Sequence, residues 1–310
     1  MSAASQALRM ARGGVAGVAA DYGELMKLRV TSLIVMTAWC GYYLGALKAG
    51  VSPWSWAVLH ALAGIGLVAG GTGALNQVME REGDRLMRRT DRRPLPAGRM
   101  STWHAAAVGL AATLGGAVYL ALTTNVLTGL LALATSATYL GLYTPLKKIS
   151  PACTFVGAFP GAMPPLLGWA AARGRVEWEA VVLFGIVFLW QFPHFHSIAW
   201  LYREDYERAG ILMRPVVDGD GRATAREILF YSLALIPVSL APSFLHMSGT
   251  VYLAGALALG AAFLAFGVRL AAAGMPPSAP RSKAPARQLL QASVFYLPLL
   301  FALMMLNAAG

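Results

Sequence analysis

Residues 55–96, SWAVLHALAGIGLVAGGTGALNQVMEREGDRLMRRTDRRPLP, join an uncharged apolar run to a segment that holds four acids and six arginines. The apolar part, residues 55–77, is long enough for a membrane-crossing helix, which needs about 20 mostly apolar residues. The stretch therefore predicts a helix that spans a membrane and ends in a concentrated group of charges.

The remainder of the chain repeats the apolar part of this pattern. Of its 310 residues, 57% are hydrophobic and only 13% are charged, whereas about a quarter of the residues in a soluble domain are charged. Nine runs are long and apolar enough to span a membrane: 30–48, 55–77, 103–122, 125–142, 152–172, 178–200, 227–246, 249–272 and 288–308. We predict an all-α polytopic membrane protein, with residues 1–29 as a cytoplasmic N-terminal tail and residues 30–310 as one transmembrane domain.

Basic residues are distributed unevenly between the two sides of such a bundle. Alternate loops, beginning with the N-terminal tail, hold 22 of the 25 Lys and Arg residues. Because cytoplasmic loops of membrane proteins are enriched in Lys and Arg, we expect a bacterial-type inner membrane protein with a cytoplasmic N-terminus. The net charge of +11 is explained in this way and does not indicate a nucleic-acid partner. The rule makes no demand on acids, yet 12 of the 14 lie on the same side.

Three oxygen-bearing side chains, Asn76, Glu80 and Asp84, are spaced four residues apart, so on a helix they project from one side. Four arginines follow: Arg88, Arg89, Arg92 and Arg93. Mg²⁺ is commonly bound by one or two carboxylates together with substrate phosphates, and guanidinium groups match phosphate oxygens. The pattern predicts a Mg²⁺ and diphosphate site on the cytoplasmic face, with the helix ending near Arg89. The alternative is a solvated helix extension stabilised by ion pairs.

This motif and two later segments resemble the UbiA-type intramembrane prenyltransferases. The family signature N-x-x-x-D-x-x-x-D is matched by Asn76, Glu80 and Asp84, with Glu in the middle position. Within the family, the haem-prenylating branch is similar over three segments: residues 75–99, LNQVMEREGDRLMRRTDRRPLPAGR; residues 143–171, YTPLKKISPACTFVGAFPGAMPPLLGWAA; and residues 188–217, FLWQFPHFHSIAWLYREDYERAGILMRPVV. The resemblance implies a UbiA-type bundle that transfers farnesyl from farnesyl diphosphate to a vinyl group of haem B, with water addition and diphosphate release.

The resemblance also implies a cofactor and further site residues. Mg²⁺ is expected as the cofactor, bound by Asn76, Glu80, Asp84 and a second-motif acid, Asp205, which also contacts substrate. A solvated loop charge is the alternative for Asp205. The arginines expected to bind diphosphate are Arg88, Arg92 and Arg93.

Cationic and aromatic residues follow the fourth apolar run on the same face. Tyr143, Lys147 and Lys148 are expected to form a lid over the diphosphate. By themselves, two lysines at a helix end are also typical determinants of membrane topology.

Two histidines lie within the sixth apolar run, where a polar side chain should face the bundle interior or a cavity. His194 is expected to be catalytic and His196 to bind substrate, because imidazole suits both iron ligation and proton transfer near a vinyl group. A hydrogen bond to a neighbouring helix is the alternative for each. The prolines and small residues of residues 157–165 predict a cleft for a flat tetrapyrrole, or a packing kink.

Two other functions are compatible with parts of this pattern. One is prenylation of a quinone or another aromatic or tetrapyrrole acceptor. The other is a membrane transporter, although transporter sites usually lie at broken helices near the membrane midplane. The expected partners are farnesyl diphosphate, haem B, the lipid bilayer and a downstream haem-modifying membrane enzyme.

Overall fold

The computed structural model describes residues 14–308, and every regular element within that range is helical. A short helix, α1 (Val15–Leu25), precedes the bundle. Nine long helices follow: α2 (Leu28–Lys48), α3 (Trp56–Leu86), α4 (Thr102–Thr123), α5 (Val126–Thr138), α6 (Cys153–Arg173), α7 (Trp178–Leu201), α10 (Arg222–Phe244), α11 (Thr250–Ala272) and α12 (Lys283–Leu306). Two short helices, α8 (Arg203–Arg208) and α9 (Arg214–Val217), lie between α7 and α10. The predicted all-α bundle is confirmed.

Eight of the nine long helices in the described range are long and apolar enough to cross a membrane, with α5 counted together with its continuation to Leu146. The remaining one, α6, contains Pro160, Pro164 and Pro165. It packs against α2 and α7, and most of its side chains are buried. Neighbouring helices therefore surround the one long helix of the described range that does not meet the criterion for a membrane span.

Helix α3 continues well beyond the predicted apolar run and ends at Leu86, about one turn before the predicted end near Arg89. Asn76, Glu80 and Asp84 consequently lie in the final three turns of a continuous helix. Helix α5 also extends, through a π-helical turn at Tyr139–Tyr143 and a last α-helical turn at Thr144–Leu146. Both extensions carry polar side chains toward the same end of the bundle, which we call the charged end.

The predicted tail, residues 1–29, is partly structured. Residues 1–13 lie outside the described residues, but residues 15–25 form α1. The amide of Gln77 joins α1 to α3, because its Nε2 donates to the carbonyl oxygens of Glu24 and Leu25 at 2.7 and 2.9 Å. The end of α1 is thereby held against the column of polar side chains on α3.

Helices α2 and α6 approach closely enough for their backbones to touch. A Cβ atom at Gly168 would lie 1.8 Å from the carbonyl oxygen of Ala38, and one at Gly41 would lie 1.8 Å from that of Pro165. Only glycine can occupy these positions without separating the helices. This contact positions α6, which forms one wall of the cavity described below.

Gly168→Ala is expected to destabilise the bundle by about 2 kcal/mol, the usual cost of forcing extra atoms into a packed interior. Thermal unfolding of the purified protein in detergent measures the effect. Gly115→Ala is the matched control, because a Cβ there meets no described atom within 4 Å and alanine favours a helix over glycine. Equal stability of the two variants would contradict the packing interpretation.

The end of the bundle opposite the charged end is joined by ion pairs around Glu177. Its carboxylate accepts hydrogen bonds from Arg173 at 2.9 Å and from the indole of Trp169 at 3.0 Å. Lys48, at the end of α2, is 3.4 Å away. The hydrogen bond from Arg173, with Trp169 and Lys48 adding to it, lowers the pKa of Glu177 from 4.5 to about 2.

Glu177→Gln is expected to lower stability at pH 7 by about 1 kcal/mol, a modest value because solvent screens this cluster. The pKa of Glu177 is lower in the folded state, so its contribution is complete above pH 4.5 and is lost as pH falls toward 2. Unfolding curves between pH 7 and pH 3 should therefore converge for the wild type and the variant. Glu179→Gln, which removes a carboxylate paired with Lys48 alone, should show a smaller difference. Parallel curves would contradict the prediction.

Candidate active site

A cavity of about 480 Å³ lies inside the bundle and extends to the charged end. Its walls come from α2, α3, α5, α6, α7 and α12, with residues of the 87–101 and 202–221 loops above it. The polar lining is concentrated at the charged end, whereas the deeper lining is mainly apolar, with Ile65, Val68, Leu167 and Leu297 among its members. The cavity therefore suits an amphiphilic ligand with a charged head.

The column predicted on α3 lines this cavity. Asn76 and Asp84 are almost completely buried, and Glu80 lies between them on the same face. Within residues 14–308, no three His, Cys, Asp or Glu residues form a cluster suited to a metal. The column itself offers two carboxylates and one amide as oxygen donors.

Each member of the column is paired with a cation from another segment. Lys27 Nζ donates to Asn76 Oδ1 at 2.6 Å, and Lys147 Nζ donates to Glu80 Oε1 at 2.7 Å. Arg93 Nη1 donates to Asp84 Oδ2 at 2.8 Å. Arg93 and Lys147, both predicted site residues, therefore lie beside the column, together with Lys27, which was predicted as part of the tail.

Only two of the four arginines after α3 line the cavity, Arg89 and Arg93. The loop turns back on itself, because Thr90 Oγ1 donates to the carbonyl oxygen of Asp84 at 2.9 Å. Arg88 and Arg92, predicted to bind substrate, do not line the cavity, whereas Arg89 lines it even though its side chain is also largely exposed. If α3 continued to Arg89, the four arginine side chains would point in different directions. The end of α3 at Leu86 therefore decides which arginines line the cavity.

Arg89 was predicted only as a member of the arginine group, and the structure gives it a distinct setting. Its guanidinium lies over the rings of Tyr202 and Tyr206, at 5.3 and 5.6 Å from their centroids. It also donates to the Tyr206 hydroxyl at 3.2 Å. Arg208 Nε donates to the carbonyl oxygen of Leu86 at 3.2 Å, so the two loops over the cavity are joined at two points.

The two consecutive lysines lie in different environments, because Lys147 lines the cavity and Lys148 does not. Lys147 lies over the ring of Tyr143, 4.4 Å from its centroid, and its carbonyl accepts a hydrogen bond from Leu212 N at 2.7 Å. Lys148 is exposed and lies outside the cavity. Tyr143 can lie flat against α6 because Gly157 has no side chain, and a Cβ there would be 2.5 Å from the ring.

The electrostatic balance at the charged end favours an anion. Four cations, Lys27, Arg89, Arg93 and Lys147, line the cavity with only two carboxylates, Glu80 and Asp84. Removal from water, together with the positive charges of Arg93 and Lys147, lowers the pKa of Lys27 to about 7. A bound anion would relieve this repulsion. The site is therefore built for a multiply charged anionic group.

The two histidines of α7 face different surroundings. His194 lines the cavity, stacks on Trp190 at 4.6 Å and is 2.8 Å from Ser293 Oγ through Nδ1. Because the Ser293 hydroxyl donates to the carbonyl oxygen of Leu290, Ser293 accepts from Nδ1–H of His194. Nε2 of His194 is then the unprotonated nitrogen, with a lone pair for a proton or a metal.

His196 lies outside the cavity, contrary to its predicted contact with substrate. It is fully buried, and its Nε2 is 2.9 Å from Glu227 Oε2. Arg214 Nε donates to the other oxygen of that carboxylate at 2.8 Å. A rotation of about 200° along a helix separates residues two positions apart, so His196 faces α10 where His194 faces the cavity.

Asp205 is likewise not brought to the column. Its carboxylate pairs with Arg208 in the same short helix, and it does not line the cavity. The prediction of Asp205 as a facing metal ligand therefore differs from the arrangement in this structure. A local ion pair one turn along α8 occupies its oxygens instead.

The predicted cleft beside residues 157–165 is present. Gly157, Pro160, Gly161 and Pro164 all line the cavity, and they form a wall with little side-chain bulk. Opposite them, Trp190, Gln191 and His194 of α7 also line the cavity. Gln191 and Lys27 were missed by the sequence analysis, since a single amide in an apolar helix and a lysine before the first span have no distinctive spacing.

The chain belongs to the UbiA prenyltransferase family, whose model matches residues 34–306, and it is therefore a membrane-embedded transferase. A protoheme IX farnesyltransferase of Koribacter versatilis (strain Ellin345) is 58% identical over 307 residues, covering 99% of each chain.

Two solved structures share the fold. One is the apo structure of a UbiA homolog from Aeropyrum pernix K1, with a TM-score of 0.65 and 18% identity over 88% of this chain and 96% of that chain. The other is a UbiA homolog from Archaeoglobus fulgidus bound to GPP and Mg²⁺, with a TM-score of 0.54 and 17% identity over 92% of this chain and 99% of that chain.

Proposed function

We propose that the protein transfers the farnesyl group of farnesyl diphosphate to a vinyl group of haem B, which yields haem O. The observation that carries the proposal is the 58% identity, over 99% of both chains, to a protoheme IX farnesyltransferase. The cavity supports it, because a cationic end suits a diphosphate and the apolar depth suits an isoprenoid chain and a porphyrin.

At the charged end, Lys27, Arg89, Arg93 and Lys147 are proposed to bind the diphosphate. As the bond from farnesyl C1 to oxygen breaks, negative charge grows on the departing diphosphate. Fixed cations within a low-dielectric cavity stabilise that charge more strongly than water does. Two of these cations hold Glu80 and Asp84 in this structure, and we expect them to exchange these partners for phosphate oxygens.

Mg²⁺ is the proposed cofactor, and the residues present fit it. Asn76, Glu80 and Asp84 offer three oxygen donors on one helix face inside the cavity, which is the donor type that Mg²⁺ prefers. When bound, Mg²⁺ supplies further neutralisation of the leaving diphosphate. Asp205 is omitted from the proposed ligands because its carboxylate pairs with Arg208.

The apolar part of the cavity is proposed to exclude water from the allylic cation and to hold the acceptor. The small-residue wall of α6 leaves room for a flat ring, and Trp190 and His194 face it from α7. We propose that the unprotonated Nε2 of His194, which lines the cavity, accepts a proton or binds the haem iron. Arg88, Arg92, Lys148 and His196 are not assigned to substrate.

The protein is a multi-pass membrane protein, and its orientation is a further proposal. The distribution of Lys and Arg supports a cytoplasmic N-terminus and a charged end at the cytoplasmic face. Farnesyl diphosphate would then enter from the cytoplasm. The apolar product would pass through the bilayer to a downstream haem-modifying membrane enzyme.

An assay of the purified protein tests the function. The protein in lipid is mixed with farnesyl diphosphate, Mg²⁺ and either haem B or an aromatic quinone precursor, and the products are separated by chromatography with mass detection. Prenylated haem with the first acceptor alone is the expected result. Prenylation of the quinone precursor alone would assign the other acceptor class, and no release of diphosphate with either acceptor would contradict transferase activity.

A further inference from the structure

Gln191 lines the cavity, and hydrogen bonds hold its side-chain amide in a fixed orientation. The residue is only 3% exposed and lines the cavity. Its Nε2 donates to the carbonyl oxygens of Ala158 and Val187, both at 3.1 Å. The two amide hydrogens are thus used by main-chain acceptors, which determines the position of Oε1. Oε1 lies beside Gly161, where a Cβ would come within 2.0 Å of it.

Gln77, a second buried glutamine, provides a comparison for the environment of Oε1 in Gln191. Gln77 also donates through Nε2 to two main-chain carbonyl oxygens, but its Oε1 is sealed from any space and Gln77 does not line the cavity. Oε1 of Gln191, in contrast, is not fully buried, and it accepts no hydrogen bond from the described residues. The same amide arrangement therefore leaves an available acceptor at Gln191.

The chemistry of the proposed reaction limits what this acceptor can bind. Farnesyl diphosphate has no hydrogen-bond donor in its chain, and the haem ring nitrogens are bound to iron. The propionates of haem are ionised at neutral pH and are acceptors themselves. Water is the remaining reactant with hydrogens to donate, and the reaction consumes one water molecule.

The position of Gln191 along its helix agrees with this use. Asn76 lies ten residues before the end of α3, and Gln191 lies ten residues before the end of α7. Both helices run toward the charged end, where Arg208 joins the loop after α7 to Leu86. Each residue is therefore about 15 Å from its helix end. Gln191 consequently lies at the same depth as Asn76, the innermost member of the column on α3.

We propose that Gln191 is a positioning residue that holds, through Oε1, the water that adds to the haem vinyl group; this rests on the proposed function. The C1–oxygen bond of farnesyl diphosphate breaks with the electron pair on oxygen, and the vinyl π electrons form the new carbon–carbon bond to C1. The vinyl carbon next to the ring becomes a cation. Water then forms a carbon–oxygen bond to it and gives one proton to Nε2 of His194, one turn along α7.

Without a positioned water, the cation formed from the vinyl group can react in another way. It can lose a proton from the adjacent carbon and form a double bond, which gives a product lighter by one water molecule. The ratio of dehydrated to hydroxylated product therefore reports on Gln191 independently of overall rate. A residue that only supports the fold would change the amount of both products together.

Two variants of the full-length protein in lipid test the proposal, with products resolved by mass. Gln191→Met removes the acceptor at nearly constant volume, and Gly161→Ala displaces it by steric contact while favouring the α6 helix. Each is expected to raise the dehydrated-to-hydroxylated ratio about tenfold, the effect of losing roughly one hydrogen bond. Gln77→Met is the matched control and should leave the ratio unchanged. Melting curves identify a variant that fails to fold, and the ratio from the other variant then decides.

The possible results distinguish a failure of the inference about Gln191 from a failure of the proposed function. If the wild type forms prenylated haem but neither variant changes the ratio, Gln191 does not position the water and only this inference fails. If Gln77→Met shifts the ratio equally, the effect is structural and the inference also fails. If the wild type forms no prenylated haem at all, the proposed function fails and takes the inference with it.

Discussion

Asp84→Asn is expected to lower the rate of diphosphate release by at least about 100-fold, the scale found when one group that stabilises developing charge is removed. The substitution keeps the shape of the side chain but removes its negative charge. It weakens a proposed Mg²⁺ ligand, and it deprives Arg93 of the partner that positions it at 2.8 Å. The measurement is Mg²⁺-dependent diphosphate release by the purified protein.

Glu82→Gln is the control for this prediction. Glu82 lies half a turn from Asp84 on the same helix, but its side chain is 63% exposed and pairs with Arg81 and Arg85. Exposed ion pairs of this kind contribute little, so activity should stay within about twofold. If both variants lost activity equally, the loss would reflect the total charge at the end of α3. That result would contradict a specific role for the column in diphosphate release.

Lys147→Met is expected to lower kcat/KM by about 100-fold. The ammonium of Lys147 lies inside the cavity, holds Glu80 at 2.7 Å and packs over Tyr143. Its loss removes a proposed diphosphate contact and leaves Glu80 without its cation. Methionine keeps the length and apolar character of the stem, so the packing over Tyr143 is largely preserved.

Lys148→Met separates this effect from membrane topology. Both lysines contribute equally to the positive charge of their loop, but Lys148 is exposed and lies outside the cavity. Its replacement should change kcat/KM by less than about twofold. Equal losses in the two variants, with reduced insertion into membranes, would support the alternative in which these lysines act only on topology.

The sequence alone determined much of the fold, because apolar length is a local property. A run such as residues 55–77 has to be a spanning helix, since unpaired backbone groups in hydrocarbon are too costly. The column also followed from sequence, because a spacing of four residues places Asn76, Glu80 and Asp84 on one face of any helix. The chemical nature of the charged end was therefore predictable before any packing was known.

Only the tertiary structure decided which neighbours share the cavity. Arg89 and Arg93 face it while Arg88 and Arg92 do not, and Lys147 and His194 face it while Lys148 and His196 do not. His194 and His196 lie two positions apart on α7 and differ in direction by about 200°. The arginines follow the end of α3 and the lysines follow Leu146, so the course of each loop decides which of them face the cavity. Lys27 reaches Asn76 across 49 positions because α1 is packed against α3. Such contacts depend on how the helices assemble, which is why the column could be predicted but the pairing of each member with its cation could not.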